Sequence, residues 1–173
     1  MKTVLITGPI ASGKSLCSRY LESRGFPVYD CDSRTKALYD LTPGLKERIE
    51  KALDIRWEQI GVIFSDEEKR KRLESIVYPL VLEDIRQWKE SQTKELLFIE
   101  SAIAMEKPEF DSSYDEVVMV IAPLGLREQR NPAVAQRDHL QSFDLERIHH
   151  VIENDGTKED LYLKIDKLLC KLI

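Results

Sequence analysis

Gly8-Pro9-Ile10-Ala11-Ser12-Gly13-Lys14-Ser15 is the stretch that decides the fold. It fits G-x-x-x-x-G-K-S, and its flanks supply the context that the pattern requires. Thr3-Val4-Leu5-Ile6-Thr7 before it is apolar and β-branched, which reads as a strand buried on both faces. Residues 14–21 after it, with Leu16 in the first turn, read as a helix. Strand, loop and helix in this order make a phosphate-binding loop. The two glycines let the backbone turn tightly and bring its N–H groups close to phosphate oxygens. The helix N-terminus adds unpaired N–H groups and a positive dipole end. Lys14 would neutralise β- and γ-phosphate charge, and the Ser15 hydroxyl would complete a Mg²⁺ shell. A glycine-rich turn with an accidental Lys-Ser is the bland alternative, but chance gives this pattern in well under about one in a hundred chains of this size.

Composition narrows the class. At 173 residues the chain is long enough for one domain with a proper core, and 42% hydrophobic with 33% charged residues describes a soluble globular protein. A formal net charge of −5 leaves no basic excess for a general nucleic-acid binder. Cys17, Cys31 and Cys170 are odd in number and have no metal-like spacing, so they suit reduced thiols in a cytoplasm. The N-terminus reads as core strand rather than signal peptide, and no apolar run is long enough to cross a bilayer. The expectation is a soluble cytoplasmic protein with no nucleic-acid or membrane partner.

Beyond the first helix, Val28-Tyr29 reads as a short second strand with Asp30 and Asp32 at its carboxyl end, where open parallel sheets hold their ligands. If the segment stays extended, period two aims both carboxylates one way and Cys31 the other. A phosphotransfer enzyme needs such a carboxylate to orient or deprotonate the acceptor hydroxyl. The alternative is that Asp32 only caps a helix starting at Ser33. Residues 33–40 and 45–53 read as helices, with Thr42 as an N-cap, and Ser65 or Asp66 caps a further helix that Pro79 bends or restarts. The second part of that helix carries a stripe of Leu82, Ile85 and Trp88.

Glu95-Leu96-Leu97-Phe98-Ile99-Glu100 is a third strand ending in a carboxylate suited to the water shell of Mg²⁺. Residues 117–121 form a fourth strand, ended by Ala122-Pro123, and His150-Val151-Ile152 a fifth. Between them, Arg127, Arg130 and Arg137 lie where a kinase places a basic lid that closes over phosphates. His139, His149 and His150 have no metal spacing and read as structural or exposed. Asn154-Asp155-Gly156-Thr157 is a turn near where an adenine would lie. Residues 158–172 close the chain as a helix with Leu161, Ile165, Leu168, Leu169 and Leu172 on one face. Strands alternating with helices predict a three-layer α/β fold with a five-stranded parallel sheet.

These residues resemble the dephospho-CoA kinase family over nearly the whole chain. Besides the phosphate loop, the resemblance rests on Val28-Tyr29-Asp30-Cys31-Asp32 and Pro43-Gly44. It continues through Phe64-Ser65-Asp66, Arg72-Leu73-Glu74-Ser75-Ile76 with Tyr78-Pro79, Leu97-Phe98-Ile99-Glu100, and a closing N-x-G-x-x-x-D-L from Asn154 to Leu161. It implies ATP-dependent phosphorylation of the ribose 3′-hydroxyl of dephospho-CoA, giving CoA and ADP. On that resemblance Asp32 is the base, with Asp30 helping to set its geometry. Lys14 and residues 8–16 hold the nucleotide with Arg130, Arg137, Asn154 and Gly156, while Ser15 and Glu100 serve Mg²⁺. The chain would be one kinase domain, monomeric or weakly homo-oligomeric. Its core would be 1–32, 95–123 and 148–173, with a helical CoA-side insertion at about 33–94 and a lid at about 124–147. Tyr78 stands where the family has His, Glu100 where it has Asp, and Ser101-Ala102 where it tends to Ile-Pro. A lid longer by about a dozen residues is expected between Arg130 and Gln136. Either the lid is truncated or a mobile stretch is missing from the chain, and the mobility of such lids favours the second. Another small-molecule or nucleoside monophosphate kinase is the rival reading. A guanine-nucleotide switch is disfavoured, because D-x-x-G and N-K-x-D are missing.

Overall fold

β1 (Lys2–Thr7) sits at the centre of the sheet because five of its six residues are fully buried and both its neighbours are strands. The computed structural model describes residues 1–138 and 142–173, without the side chains of Phe64, Gln136 and Arg137. The expectations for the Arg137 side chain and for His139 therefore lie outside the described residues. β2 (Val28–Asp30), β3 (Leu96–Glu100), β4 (Glu116–Ile121) and β5 (His150–Glu153) complete a parallel sheet of order β2-β3-β1-β4-β5. This is the five-stranded, three-layer α/β fold that the sequence predicts. In register, Ile6 of β1 pairs with Glu100, and Glu100 with Asp30, so two acidic residues end adjacent strands.

The chain divides into two compact units, residues 1–30 with 91–173, and residues 31–90. In the first, α1 (Lys14–Ser23) and α7 (Lys158–Leu172) cover one face of the sheet. Cys17 and Leu21 from α1 and the whole predicted α7 stripe pack on Val4, Ile6, Phe98, Val118 and Val120. Each fully buried aliphatic side chain of this kind contributes roughly 1.5–3 kcal/mol of transfer free energy. On the other face Leu5, Leu97, Ile99 and Val117 are equally buried, which is why the strands read as continuous apolar runs rather than as alternations. α7 starts at a reciprocal capping box, in which Thr157 Oγ1 accepts the Asp160 N–H at 3.1 Å and Asp160 Oδ2 accepts the Thr157 N–H at 2.9 Å. His149 and His150 are structural, as expected. His149 Nδ1 accepts the Val117 N–H, and the His150 ring pairs with Glu116, which also pairs with Lys2.

The second unit is helical: α2 (Cys31–Leu41), α3 (Leu45–Leu53), a 3₁₀ segment Trp57–Ser65, and α4 (Glu67–Glu90). Four local expectations are corrected here. α2 begins at Cys31, directly after β2, so the segment does not stay extended through Asp32. Nor is Asp32 an N-cap; it is an exposed residue of the first helical turn, where a carboxylate favours the helix dipole. The N-cap of α3 is Gly44 in a left-handed conformation, not Thr42, whose carbonyl instead closes the turn by accepting the Leu45 N–H. α4 runs through Pro79 without restarting, because a proline removes only one ladder hydrogen bond while a buried stripe spans the site. That stripe is Leu73, Val77, Val81 and Ile85, at spacings of four, with Leu82 and Trp88 only half-buried. Asp66 caps the helix as expected, accepting the Lys69 N–H at 3.0 Å.

Candidate active site

The phosphate loop joins β1 to α1 in a conformation that dictates its glycines. Gly8 has φ +141°, and a Cβ there would lie 2.1 Å from the Val120 carbonyl oxygen of the neighbouring strand. Gly13 has φ +107°, and a Cβ would lie 2.2 Å from the Asn154 side-chain nitrogen. Ala11 also adopts a left-handed φ of +61°, a conformation that costs a non-glycine residue roughly 1–2 kcal/mol. Ser12 is fully buried, and its N–H closes the turn on the Pro9 carbonyl.

Lys14 folds back over this loop, donating from Nζ to the Gly8 carbonyl at 2.8 Å and the Pro9 carbonyl at 3.0 Å. Ser15 Oγ donates to Glu100 Oε1 at 2.8 Å, linking the loop to the end of β3. Glu100 is only 8% exposed, and its partner is the residue that the loop motif sets aside for metal. Behind them, burial and the nearby Glu100 carboxylate push the Cys17 thiol up to about 12, so it stays a protonated, unreactive core residue.

A cavity of about 440 Å³ opens on the loop. Ala11, Gly13, Lys14, Ser15, Leu16, Arg130, Asn154 and Gly156, all predicted from sequence, line it together. Gly8, Pro9, Ile10 and Ser12 do not, because they form the underside of the loop and offer carbonyls to other side chains. Arg19, Asn131 and Lys158 line the cavity without having been singled out. A place one helical turn after Ser15 is the one signal for Arg19, and it does not separate a lining residue from a solvated one.

The arginine segment forms α5 (Leu124–Arg130) and a short turn α6 (Val134–Arg137). Arg127 and Arg130 behave differently. Arg127 is 8% exposed; it donates from Nε to the Ala122 carbonyl, reaches the Ile10 carbonyl at 3.5 Å, and forms a bidentate pair with Asp138. Arg130 is exposed and donates to the Ala11 and Asn154 carbonyls, both at 3.3 Å.

A central parallel strand feeding a glycine loop and a helix N-terminus, with a lysine, a hydroxyl and a strand-end carboxylate around one cavity, defines a P-loop kinase fold and site. Kinases of this fold use ATP. The model of the dephospho-CoA kinase family matches residues 2–160, and the chain belongs to that family. Among relatives, the dephospho-CoA kinase of Porphyromonas gingivalis is 37% identical over 75% of this chain and 68% of that one. The enzyme of Bacteroides fragilis is 34% identical over 88% and 84%. The alignment with the Fusobacterium nucleatum dephospho-CoA kinase runs over 191 positions, more than this chain's 173 residues, so it opens gaps in this chain. Among solved structures, TT1252 from Thermus thermophilus superposes with a TM-score of 0.81 at 29% identity, covering 99% of this chain and 98% of that one. Dephospho-CoA kinase from Campylobacter jejuni gives 0.64 at 21% identity, with the same coverage, and shares the fold.

Proposed function

We propose that the chain transfers the γ-phosphoryl group of ATP to the ribose 3′-hydroxyl of dephospho-CoA, the last step of coenzyme A biosynthesis. The observation that carries this is the Ser15–Glu100 link beneath the phosphate loop, in a chain of the dephospho-CoA kinase family. Lys14 and the loop N–H groups hold the phosphates, while Arg130 and Arg137 spread charge off the transferring group. Asp32 takes the hydroxyl proton on a carboxylate oxygen, or orients it, and Asp30 helps set that geometry. A loose transition state needs this positioning and charge stabilisation more than a strong base.

Mg²⁺ fits the residues present. Ser15 Oγ and Glu100 Oε1 are hard oxygen donors 2.8 Å apart, and among the described residues no group of three His, Cys, Asp or Glu could hold a metal alone. That is the donor set of an ion that takes most of its ligands from phosphate and water. Ser15 would hold it directly and Glu100 through water, and when bound it supplies neutralisation of phosphoryl charge. On this reading the chain is one kinase domain with its core at 1–32, 95–123 and 148–173. The helical segment at about 33–94 serves the CoA side and about 124–147 is a lid. The same reading makes it a cytoplasmic enzyme, monomeric or weakly homo-oligomeric, without nucleic-acid or membrane partners. Among the described residues no helix is long and apolar enough to cross a membrane.

The test is ADP release with Mg-ATP and dephospho-CoA, beside adenosine, AMP and a shikimate-like alcohol. Rapid turnover with dephospho-CoA alone is expected; bound ATP with transfer to another acceptor overturns the assignment. Asp32→Asn is expected to collapse turnover with the melting temperature unchanged, and near wild-type turnover removes Asp32 from its role.

A further inference from the structure

Two side chains from outside the phosphate loop hold two of its carbonyls. Arg130 Nη1 donates to the Ala11 carbonyl at 3.3 Å, and Asn154 Nδ2 donates to the Ser12 carbonyl at 2.8 Å. The two residues are tied together, since Arg130 Nη2 donates to the carbonyl of Asn154 itself. Asn154 is in turn fixed to the end of β4, where its N–H meets the Ile121 carbonyl at 2.7 Å. It is 5% exposed, and its amide group fills the space that a side chain at Gly13 would need.

We propose that Asn154 is a positioning residue for the phosphates of the nucleotide, and that its side chain does not read the base. In a planar trans peptide the C=O and the following N–H point in opposite directions. Holding the Ser12 carbonyl therefore also fixes the direction of the Gly13 N–H, which points away from the Asn154 amide, in a peptide whose Gly13 lines the cavity. The loop is costly to hold at Ala11, a residue with a Cβ at positive φ. An oxyanion site works only when its donors are set before the charge arrives. The Asn154 amide supplies that setting from a strand end 142 residues away in sequence.

The proposal rests on ATP binding in this loop and is independent of the acceptor. Calorimetric titration of adenosine, Mg-ADP and Mg-ATP is run on the wild type, Asn154→Ala and Asn154→Asp, with thermal melts to check folding. Both variants are expected to lose about tenfold in affinity for the di- and triphosphate while adenosine binding stays within about twofold. Asn154→Asp is expected to be no better than Asn154→Ala, because a carboxylate has no N–H to offer the Ser12 carbonyl and repels it. Equal losses for adenosine and ATP, or recovery of binding in Asn154→Asp, overturn the proposal, since the Asp keeps an acceptor that could read a base. In the wild type, NMR scalar coupling across the hydrogen bond from the Asn154 side-chain nitrogen to the Ser12 carbonyl carbon is expected to persist with Mg-ATP bound. Its disappearance overturns the proposal without any variant. A wild type that binds no ATP overturns this and the kinase reading together, whereas parallel losses overturn this one alone.

Discussion

The phosphate loop at residues 8–15 and the arginine segment at 124–138 serve one cavity by opposite means. On the proposed reading the working groups of the loop are backbone N–H donors, and the loop's shape demands glycine at two places, one of whose Cβ atoms would lie 2.1 Å from a strand carbonyl. In the arginine segment the working groups sit at the ends of long side chains, and two arginines three residues apart do different jobs. Arg127 is buried in a web of carbonyls and Asp138, whereas Arg130 reaches across exposed surface to the loop. Function carried by the main chain leaves a fixed spacing in the sequence. Function carried by flexible side chains leaves only a residue type.

The largest effect should come where the two means meet. Lys14→Ala removes the one charge in the loop itself, and kcat/KM is expected to fall about 10²–10³-fold in the steady-state assay with the melting temperature held. Gly8→Ala tests the backbone half: strain at positive φ and collision with Val120 should destabilise the protein by about 2–5 kcal/mol. That is a drop of about 5–15 °C in the melting temperature, with nucleotide binding lost alongside. The side-chain half is tested by a pair. Arg127→Ala removes one donor from Asp138 and from two carbonyls and should destabilise by about 1–3 kcal/mol in denaturant titration. Arg130→Ala should leave stability within about 0.5 kcal/mol while weakening Mg-ATP binding. Equal behaviour of the two variants would break the comparison.

The smallest effect concerns Cys17, under the loop. Its thiol, raised to about 12 from an ordinary value near 9, binds its proton more tightly folded than unfolded. The Cys17 contribution to stability is therefore expected to be constant below about pH 9 and to be lost between pH 9 and 12, so that Cys17→Ala makes the alkaline slope shallower. At pH 8 a thiol reagent should modify exposed Cys170 at once, and buried Cys17 and Cys31 only on unfolding.

The sheet, its parallel sense and the α7 stripe were legible because burial on both faces writes continuous apolar runs and burial on one helix face writes a repeat. The loop was legible through its glycines. What escaped the sequence was set by groups far apart in it. The helical start at Cys31 cannot be told from a longer strand by a run as short as Val28-Tyr29-Asp30, and Gly44 rather than Thr42 caps α3 because a left-handed turn closes there. Pro79 reads as a bend or restart because the apolar residues on its two sides look like separate stripes, whereas Leu73, Val77, Val81 and Ile85 form one that runs across it. Arg19 and Lys158 gave no signal that decides, as a lysine or arginine on a helix looks the same whether it lines a cavity or meets solvent. The Ser15–Glu100 link joins residues 85 apart and was approached only through the habit of such sites to end strands in acids.

The bond from Asn154 to the Ser12 carbonyl has a consequence for how the protein is made. The loop is made before the strands that flank it, and β1 must wait for β3 and β4 before it has either of these neighbours to pair with. Even a sheet of four strands would still have the loop without its clasp, which arrives about 140 residues later with the turn after β5. At elongation rates of about 5–20 residues per second, that delay lasts roughly 7–30 seconds. Throughout it the nascent chain carries the whole nucleotide motif in an unset form, without the residue that clasps the Ser12 carbonyl.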